Sequence, residues 1–540
     1  MLTMLFRPNM KVIQGSINKV SMKVVGKVAV LGTSILIIAG CSTVQRDPMA
    51  LNEIESAIEA DKALFLEASP PLSKPLTLAE AMAHALKYNV NNRVRLMEQA
   101  LADQSFRLAK MDMLPLLAAN AGLTSRSNVD ASSSESVETG IESLEPSTST
   151  DQSRRNADLR LSWNALDFGV SYLKAKQEAD RFEIARYERR DIMSKLLQET
   201  RAAYWKAAVT QELRPKIEEL LQRTDKALQN LEKIQKEKLR APVVVLQERR
   251  KLLSITRNLK SLQQSVDAAQ IELANIINQP PSTVVALSVP KKRPELTRFD
   301  QVDIEQLERT ALSNNVDYIG ELYNARIAQR EAKKSMLRMF PGLEFSYAGN
   351  YDSNSYLYNS TWGQAGIRIS WNIMRLFSMG IIKDQNEARE YMVEARRMAA
   401  SMGVIAQVNL GWQQYRNAID ALDLSQQFEE LDNQIAGFNS QARASSAISG
   451  TESLLSEARA VNSQLTNLLS YAEAQEAYGN FMLSVGFNPV PSDYQHYSIE
   501  ELASVITQGF DLWTSGVPSE QQLRQFSSQT HDIAITKAEG

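Results

Sequence analysis

Two kinds of hydrophobic spacing alternate along this chain, and each occurs twice. Leu117, Ala119, Ala121 and Leu123 alternate with Ala118, Asn120, Gly122 and Thr124. Further on, Leu159, Leu161 and Trp163 face one way and Arg160, Ser162 and Asn164 the other. The same alternation returns in Leu343, Phe345, Tyr347 and Tyr351, then in Ile367, Ile369 and Trp371 set against Arg368, Ser370 and Asn372. Period two predicts strands, and hence hairpins at about 115–166 and 341–374. Elsewhere Glu, Lys, Gln, Ala and Leu dominate, and the spacing is helical. It predicts helices over 89–113, 169–240, 242–277, 315–339, 379–446 and 451–485, with 169–240 broken only at Pro215. At 1.5 Å per residue the longest would reach about 110 Å. A short helix plus a medium one nearly equals a long one, so each half can form two columns with a hairpin at one end.

The halves are repeats of one another. His84 to Val90, HALKYNV, matches Thr310 to Val316, TALSNNV. The Pro115 and Pro341 turns share that 226-residue offset, whereas LRLSWN around Trp163 and IRISWN around Trp371 are 208 residues apart. An 18-residue insertion therefore lies between the proline and the tryptophan of the first half. It falls within the Ser/Thr-rich Asn128–Arg155, whose composition predicts a mobile loop. Organisation by residue is then 76–290 for the first repeat and 291–490 for the second. A segment at 41–75 precedes them and a tail at 491–540 comes after.

Composition narrows the chemistry. Of the 540 residues, 60 are Lys or Arg and 63 Asp or Glu, so no basic excess points to nucleic acid. Cys41 is the single cysteine, which leaves no disulfide framework and no cysteine metal site. No Gly-rich phosphate loop, His-Glu-x-x-His or Gly-x-Ser-x-Gly occurs, so neither an enzyme nor a cofactor is expected. Met336, Met339, Met374 and Met379 read as helix packing rather than a copper path. Cys41 follows Lys23, Lys27 and an apolar run ending Ile38-Ala39-Gly40. That reads as a secretory signal over 1–40 whose apolar run, Val28 to Ala39, is too short to span a bilayer, with a start at Met10 or Met22 also compatible. Ile-Ala-Gly-Cys resembles the bacterial lipobox, which would make Cys41 the lipidated first residue, and Ser42 resembles lipoproteins sent to the outer membrane.

A hairpin with one apolar face, one Arg/Ser/Asn face and a Trp at its end suits a membrane β-barrel, with Trp163 and Trp371 at the membrane–water interface. Four strands cannot close a barrel, since about eight is the smallest number that spans. The strands must therefore be pooled between chains.

These features together resemble the TolC-type outer-membrane factor family. Leu76–Val90 looks like its opening helix. The Pro turns into strands, the Ser-Trp-Asn strand exits and Ile448–Ala458, ISGTESLLSEA, look like its other recurring features. The resemblance covers about 76–490. It implies an α+β membrane protein with two internal repeats, each a β-hairpin plus long α-helices. The expected assembly is a homotrimer with a 12-stranded β-barrel in outer-membrane lipid and an α-helical barrel in the periplasm. The implied partners are a periplasmic adaptor (membrane fusion) protein and an inner-membrane pump or ABC transporter, for efflux or for type I protein secretion. A lipid-anchored coiled-coil scaffold without a pore is the alternative of another class. By the same resemblance the adaptor docks at two helix turns, Arg240-Ala241-Pro242-Val243 and Ser449-Gly450-Thr451-Glu452. Gly450 would serve there through a positive φ or close packing. The first turn departs from the family's commoner Gly-containing form. Between Asn433 and Ser449 the only charged residue is Arg443, so the acidic gate of many relatives has no counterpart here.

Overall fold

The computed structural model describes residues 48–67, 71–290, 292–298, 303–445, 447–491 and 494–514. Cys41 and the expected signal lie outside the described residues. The N-terminal unit runs to Phe65, and its described part belongs to helix α1, Leu51–Glu67, a solvent-exposed helix. Every element from α2 onward belongs to the second unit, Leu66–Gly540.

The first repeat opens with α2, Leu78–Tyr88. A capping box starts this helix: Thr77 accepts from the Glu80 amide while the Glu80 carboxylate accepts from the Thr77 amide. Asn89 then turns the chain and caps α3, Val90–Met111. Strand β1, Leu116–Ser125, comes next, then two short strands, β2 at Ala131–Ser132 and β3 at Ser147–Thr148, then β4, Ser153–Asn164. Helix α4, Ala165–Lys236, is 72 residues long, and α5, Pro242–Ile276, returns beside it. The second repeat copies this order with α6 (Ile304–Asn314), α7 (Val316–Leu337), β5 (Gly342–Asp352) and β6 (Thr361–Ser370). It continues with α8 (Met379–Ala444) and α9 (Gly450–Ser484). The repeated Asn-Val has a reason: Asn315 caps α7 as Asn89 caps α3.

Two expectations need correction. Helix α4 passes through Pro215 without a break; packing on several sides holds it where propensity alone would end it. The insertion is not a structureless loop, because β2 and β3 pair and Glu135 bridges Glu142. Asn354 of the second repeat also ties it down, accepting from the Asp151 amide and donating to the Ser149 carbonyl at 2.9 Å each. Within the tail beyond 490, helix α10, Ile499–Thr514, packs on α2 and buries Leu502 and Ile506 completely.

The core is a belt where α2, α6 and α10 meet the long columns, continuing down the contact of α4, α5 and α9. Leu76 and Leu287 form a parallel bridge that joins the two ends of the first repeat. Tyr204 fastens it by donating to the Ser288 carbonyl at 3.0 Å. Burial pushes the Tyr204 hydroxyl up to about 12, so it remains a neutral donor.

Candidate functional site

Strands β1, β4, β5 and β6 form one antiparallel sheet in that order. The register sets residues that share a face in rows across the sheet. Leu117, Leu161, Tyr347 and Ala365 form one row across the sheet; Ala118, Arg160, Ala348 and Gln364 form the next. Alternation therefore gives a continuous apolar face and a face bearing Asn120, Arg160, Asp158, Glu344 and Arg368. On the polar face Asn120 donates to Asp158 at 3.0 Å. The apolar face is solvent-exposed at Leu117, Leu159, Tyr347, Ile367 and Ile369. The outer edges of β1 and β6 have no strand partner among the described residues.

Both sequence-singled tryptophans lie where strand gives way to helix. Trp163 is the penultimate residue of β4; it stacks on Phe345 at 6.0 Å and meets Phe168 at a tilt, 5.8 Å between ring centres. Trp371 directly follows β6, half-exposed, and its indole N–H donates to the Met339 carbonyl at 2.9 Å.

Below the sheet the helices form columns. Helix α4 touches α3 and α7 in the half near the sheet and α5 and α9 beyond it, whereas α8 touches mainly α7 and α9. The face of α8 left over carries Leu424, Phe428, Leu431, Ile435 and Phe438, each at least 49% exposed. Their spacing of four and three residues is that of a coiled-coil seam. The opposite edge carries Val90, Val94, Met97, Leu101 and Leu108 on α3, with Val243, Leu246 and Leu253 on α5, all exposed. Two apolar seams thus flank the layer of columns.

The far ends of the columns hold the two turns. Helix α4 ends with Lys238 at φ 54°, the Leu239 amide donating to the Ile234 carbonyl at 3.1 Å. That is a Schellman-type ending in which Lys occupies the glycine position. Pro242 then opens α5, and Arg240 lies 3.7 Å from Glu248. In the second turn Ser449 caps α9 by accepting from the Glu452 amide at 3.2 Å. The positive φ considered for Gly450 is absent: Gly450 is the first residue of α9. A Cβ there would meet only the Arg443 guanidinium at 3.7 Å, an ordinary contact. The strained residue is Lys238, in the other turn. Arg240, Ala241 and Val243 are exposed in the first turn, and Ser449 and Gly450 in the second.

No protein-family model matches the chain, and none of the curated proteins is detectably similar in sequence. Solved structures do match. The outer-membrane channel OprN superimposes with a TM-score of 0.58 at 16% identity, over 76% of this chain and 90% of its own. The outer membrane protein VceC of Vibrio cholerae gives 0.56 at 15%, over 76% and 96%. The CmeC outer membrane channel of Campylobacter jejuni gives 0.60 at 12%, over 80% and 89%. The fold is that of an outer-membrane channel. Among the described residues no helix is long and apolar enough to cross a membrane.

Two features are absent from the sequence reading, one with no signal in the sequence and one, the α8 seam, with a signal that was passed over. Asp180 of α4, nearly fully buried, takes ion pairs from Arg326 and Arg330 of α7 and so ties the two repeats together. No spacing within one helix reveals a pair formed between helices. The seam on α8 was legible, since its heptad interval stands in the sequence.

Proposed function

We propose that three copies of this chain form a passive outer-membrane conduit, the channel component of a tripartite efflux or export system. One observation carries the reading: a sheet with an exposed apolar face ends at open edges on both sides. In lipid an open strand edge leaves backbone groups unsatisfied, so β6 of one copy must pair with β1 of the next. The polar face then lines a wet lumen. The two seams support the same closure. The α8 seam of one copy meets the α3/α5 seam of its neighbour, a head-to-tail contact that closes into a ring. Native mass measurement of the detergent-solubilised protein should give three chains, and planar bilayers should show discrete conductance steps. A stable monomer, or a trimer without conductance, would remove the conduit; the second result would leave a coiled-coil scaffold.

Three further parts of the reading have their own tests. Cys41 is the lipid anchor to the outer membrane, so Cys41→Ser should lose labelled palmitate. The segment Asn128–Arg155, at the sheet end remote from the helices, faces the cell exterior, so added protease should cut it on intact cells. The two turns dock a periplasmic adaptor that links the conduit to an inner-membrane pump or ABC transporter. A cysteine at Ser449 should cross-link to that adaptor. Gly450→Trp should abolish export yet leave the trimer intact, because nothing in the chain's own fold crowds that position.

A further inference from the structure

Helices α2, α4, α9 and α10, with Ser288, Pro290 and residues 294–297 of the segment joining α5 to α6, line an open-mouthed cavity of about 520 Å³ in the belt. Arg201 and Trp205 of α4 line it, together with Leu78, Met82, Tyr478 and Phe510. Arg201 and Trp205 are one helical turn apart and so share a face. Both are almost fully buried, 4% and 3% exposed. Each leaves a buried donor without an acceptor among the described residues: the Arg201 Nε and the Trp205 Nε1. Arg201 Nη1 does donate to Gln475 Oε1 at 3.2 Å, and the guanidinium lies 4.2 Å from the Phe510 ring centroid. The charge itself remains uncompensated: among the described residues only the phenols of Tyr478, Tyr471 and Tyr415 act on it. Glu295 and Asp511 also line the cavity, but neither carboxylate acts on Arg201, and Glu295 is engaged by Lys292 at 2.8 Å. Burial lowers the Arg201 guanidinium to about 10, so it is still charged at neutral pH.

A buried cation without a counter-ion is unfavourable, and unpaired buried donors beside it add to the strain. An entering anion would relieve both at once. The remaining wall is largely apolar and aromatic, which selects against a small hydrated ion. A single guanidinium matches one negative charge and grips a planar carboxylate with its fork. We infer that this cavity binds a carboxylate carried on an apolar body, of the fatty-acid class, with Arg201 as the counter-ion and Trp205 as an additional donor. Its walls come from both repeats, from α2 and α4 of the first and α9 of the second, so the ligand would hold the halves together. The inference does not depend on the conduit reading.

The test is equilibrium dialysis of labelled decanoate against the full chain in lipid nanodiscs, with decanol and protein-free nanodiscs as controls. The parent should show one saturable decanoate per chain. Arg201→Met should weaken it at least about tenfold, the loss of a charge-assisted hydrogen bond, and should leave decanol unchanged. Trp205→Phe, which keeps the ring and removes the N–H, should weaken it a few-fold and serves if Arg201→Met fails to assemble. Decanoate should also raise the melting temperature of the parent and not that of Arg201→Met. Absence of saturable binding above the nanodisc background, or equal binding by the parent and both variants, would overturn the inference.

Discussion

The two long helices of the repeats, α4 and α8, have nearly the same length and opposite surroundings. Helix α4 has neighbours on several sides and buries Leu197, Tyr204, Leu213 and Ile217. Helix α8 lies at the margin and leaves Leu424 to Phe438 exposed as a stripe. Tyr204 is fully buried, whereas its repeat equivalent Trp412 is only partly so. Duplication gave both halves the same element. Position in the layer then decided that α4 completes its packing within the chain and that α8 needs something else to cover it. The junctions above them diverge as well. Asn164 caps α4 directly, accepting from the Leu166 amide at 2.9 Å, whereas Asn372 makes no side-chain cap and a 3-10 turn, Ile373–Ser378, precedes α8.

The largest expected effect sets those two helices against each other. Leu213→Asp, in α4, should unfold the chain, since an unpaired carboxylate is far too costly in a closed core and even Leu→Ala there costs about 2–5 kcal/mol. Leu431→Asp, in α8, should leave a folded chain that does not assemble. Circular dichroism and native mass measurement separate these outcomes. If Leu431→Asp assembles normally, the α8 seam is not a contact surface.

A smaller effect contrasts the ends of α9. Gly486 sits at φ 82°, and a Cβ there would lie 2.5 Å from the Asn314 Cβ. Gly486→Ala should therefore lower stability by about 1–3 kcal/mol. Gly450→Ala, where the nearest neighbour is at 3.7 Å, should be close to neutral. Thermal unfolding of both variants checks the ranking. The repeat counterpart of Gly486 is Asn278, also left-handed at φ 57°, so Asn278→Gly should be tolerated.

The junction asparagines should differ by less. Asn164→Ala removes a side-chain cap and should cost about 1 kcal/mol; Asn372→Ala removes none and should have little effect. Equal losses in chemical denaturation would show that the 3-10 turn depends on Asn372 in some other way.

The smallest contrast is one of pH. His84 occupies the place held by Thr310 in the second repeat, and burial keeps its imidazole below the ordinary 6.5. The Glu80 and Glu500 charges oppose that shift, and Lys74 and Lys87 add to it. On acidification the unfolded chain takes up a proton near 6.5 before the folded one does. The stability due to neutral His84 is thus present above that value and is lost as pH falls toward its folded value. Between about pH 7.5 and about pH 5 the melting temperature should fall more steeply for the parent than for His84→Thr. Parallel slopes would remove His84 as the cause.

Much of this was legible in the chain itself. Period-two alternation located the four strands of the main sheet because a half-buried strand must alternate, and the Glu-, Lys-, Ala- and Leu-rich stretches located the helices because their periodicity is local. The repeated Asn-Val and Ser-Trp-Asn phrases marked caps and junctions, which are likewise set by a few neighbouring residues. The sequence could not show that α4 would run through Pro215, that α10 would join the belt, or that the insertion would be stitched to Asn354. Each depends on contacts between residues distant along the chain. Burial of Arg201 without a counter-ion among the described residues, and the pairing of Asp180 with two arginines of the other repeat, were also decided by tertiary structure. A side chain's charge is written in the sequence, but its partners are set by which helices come to lie beside it.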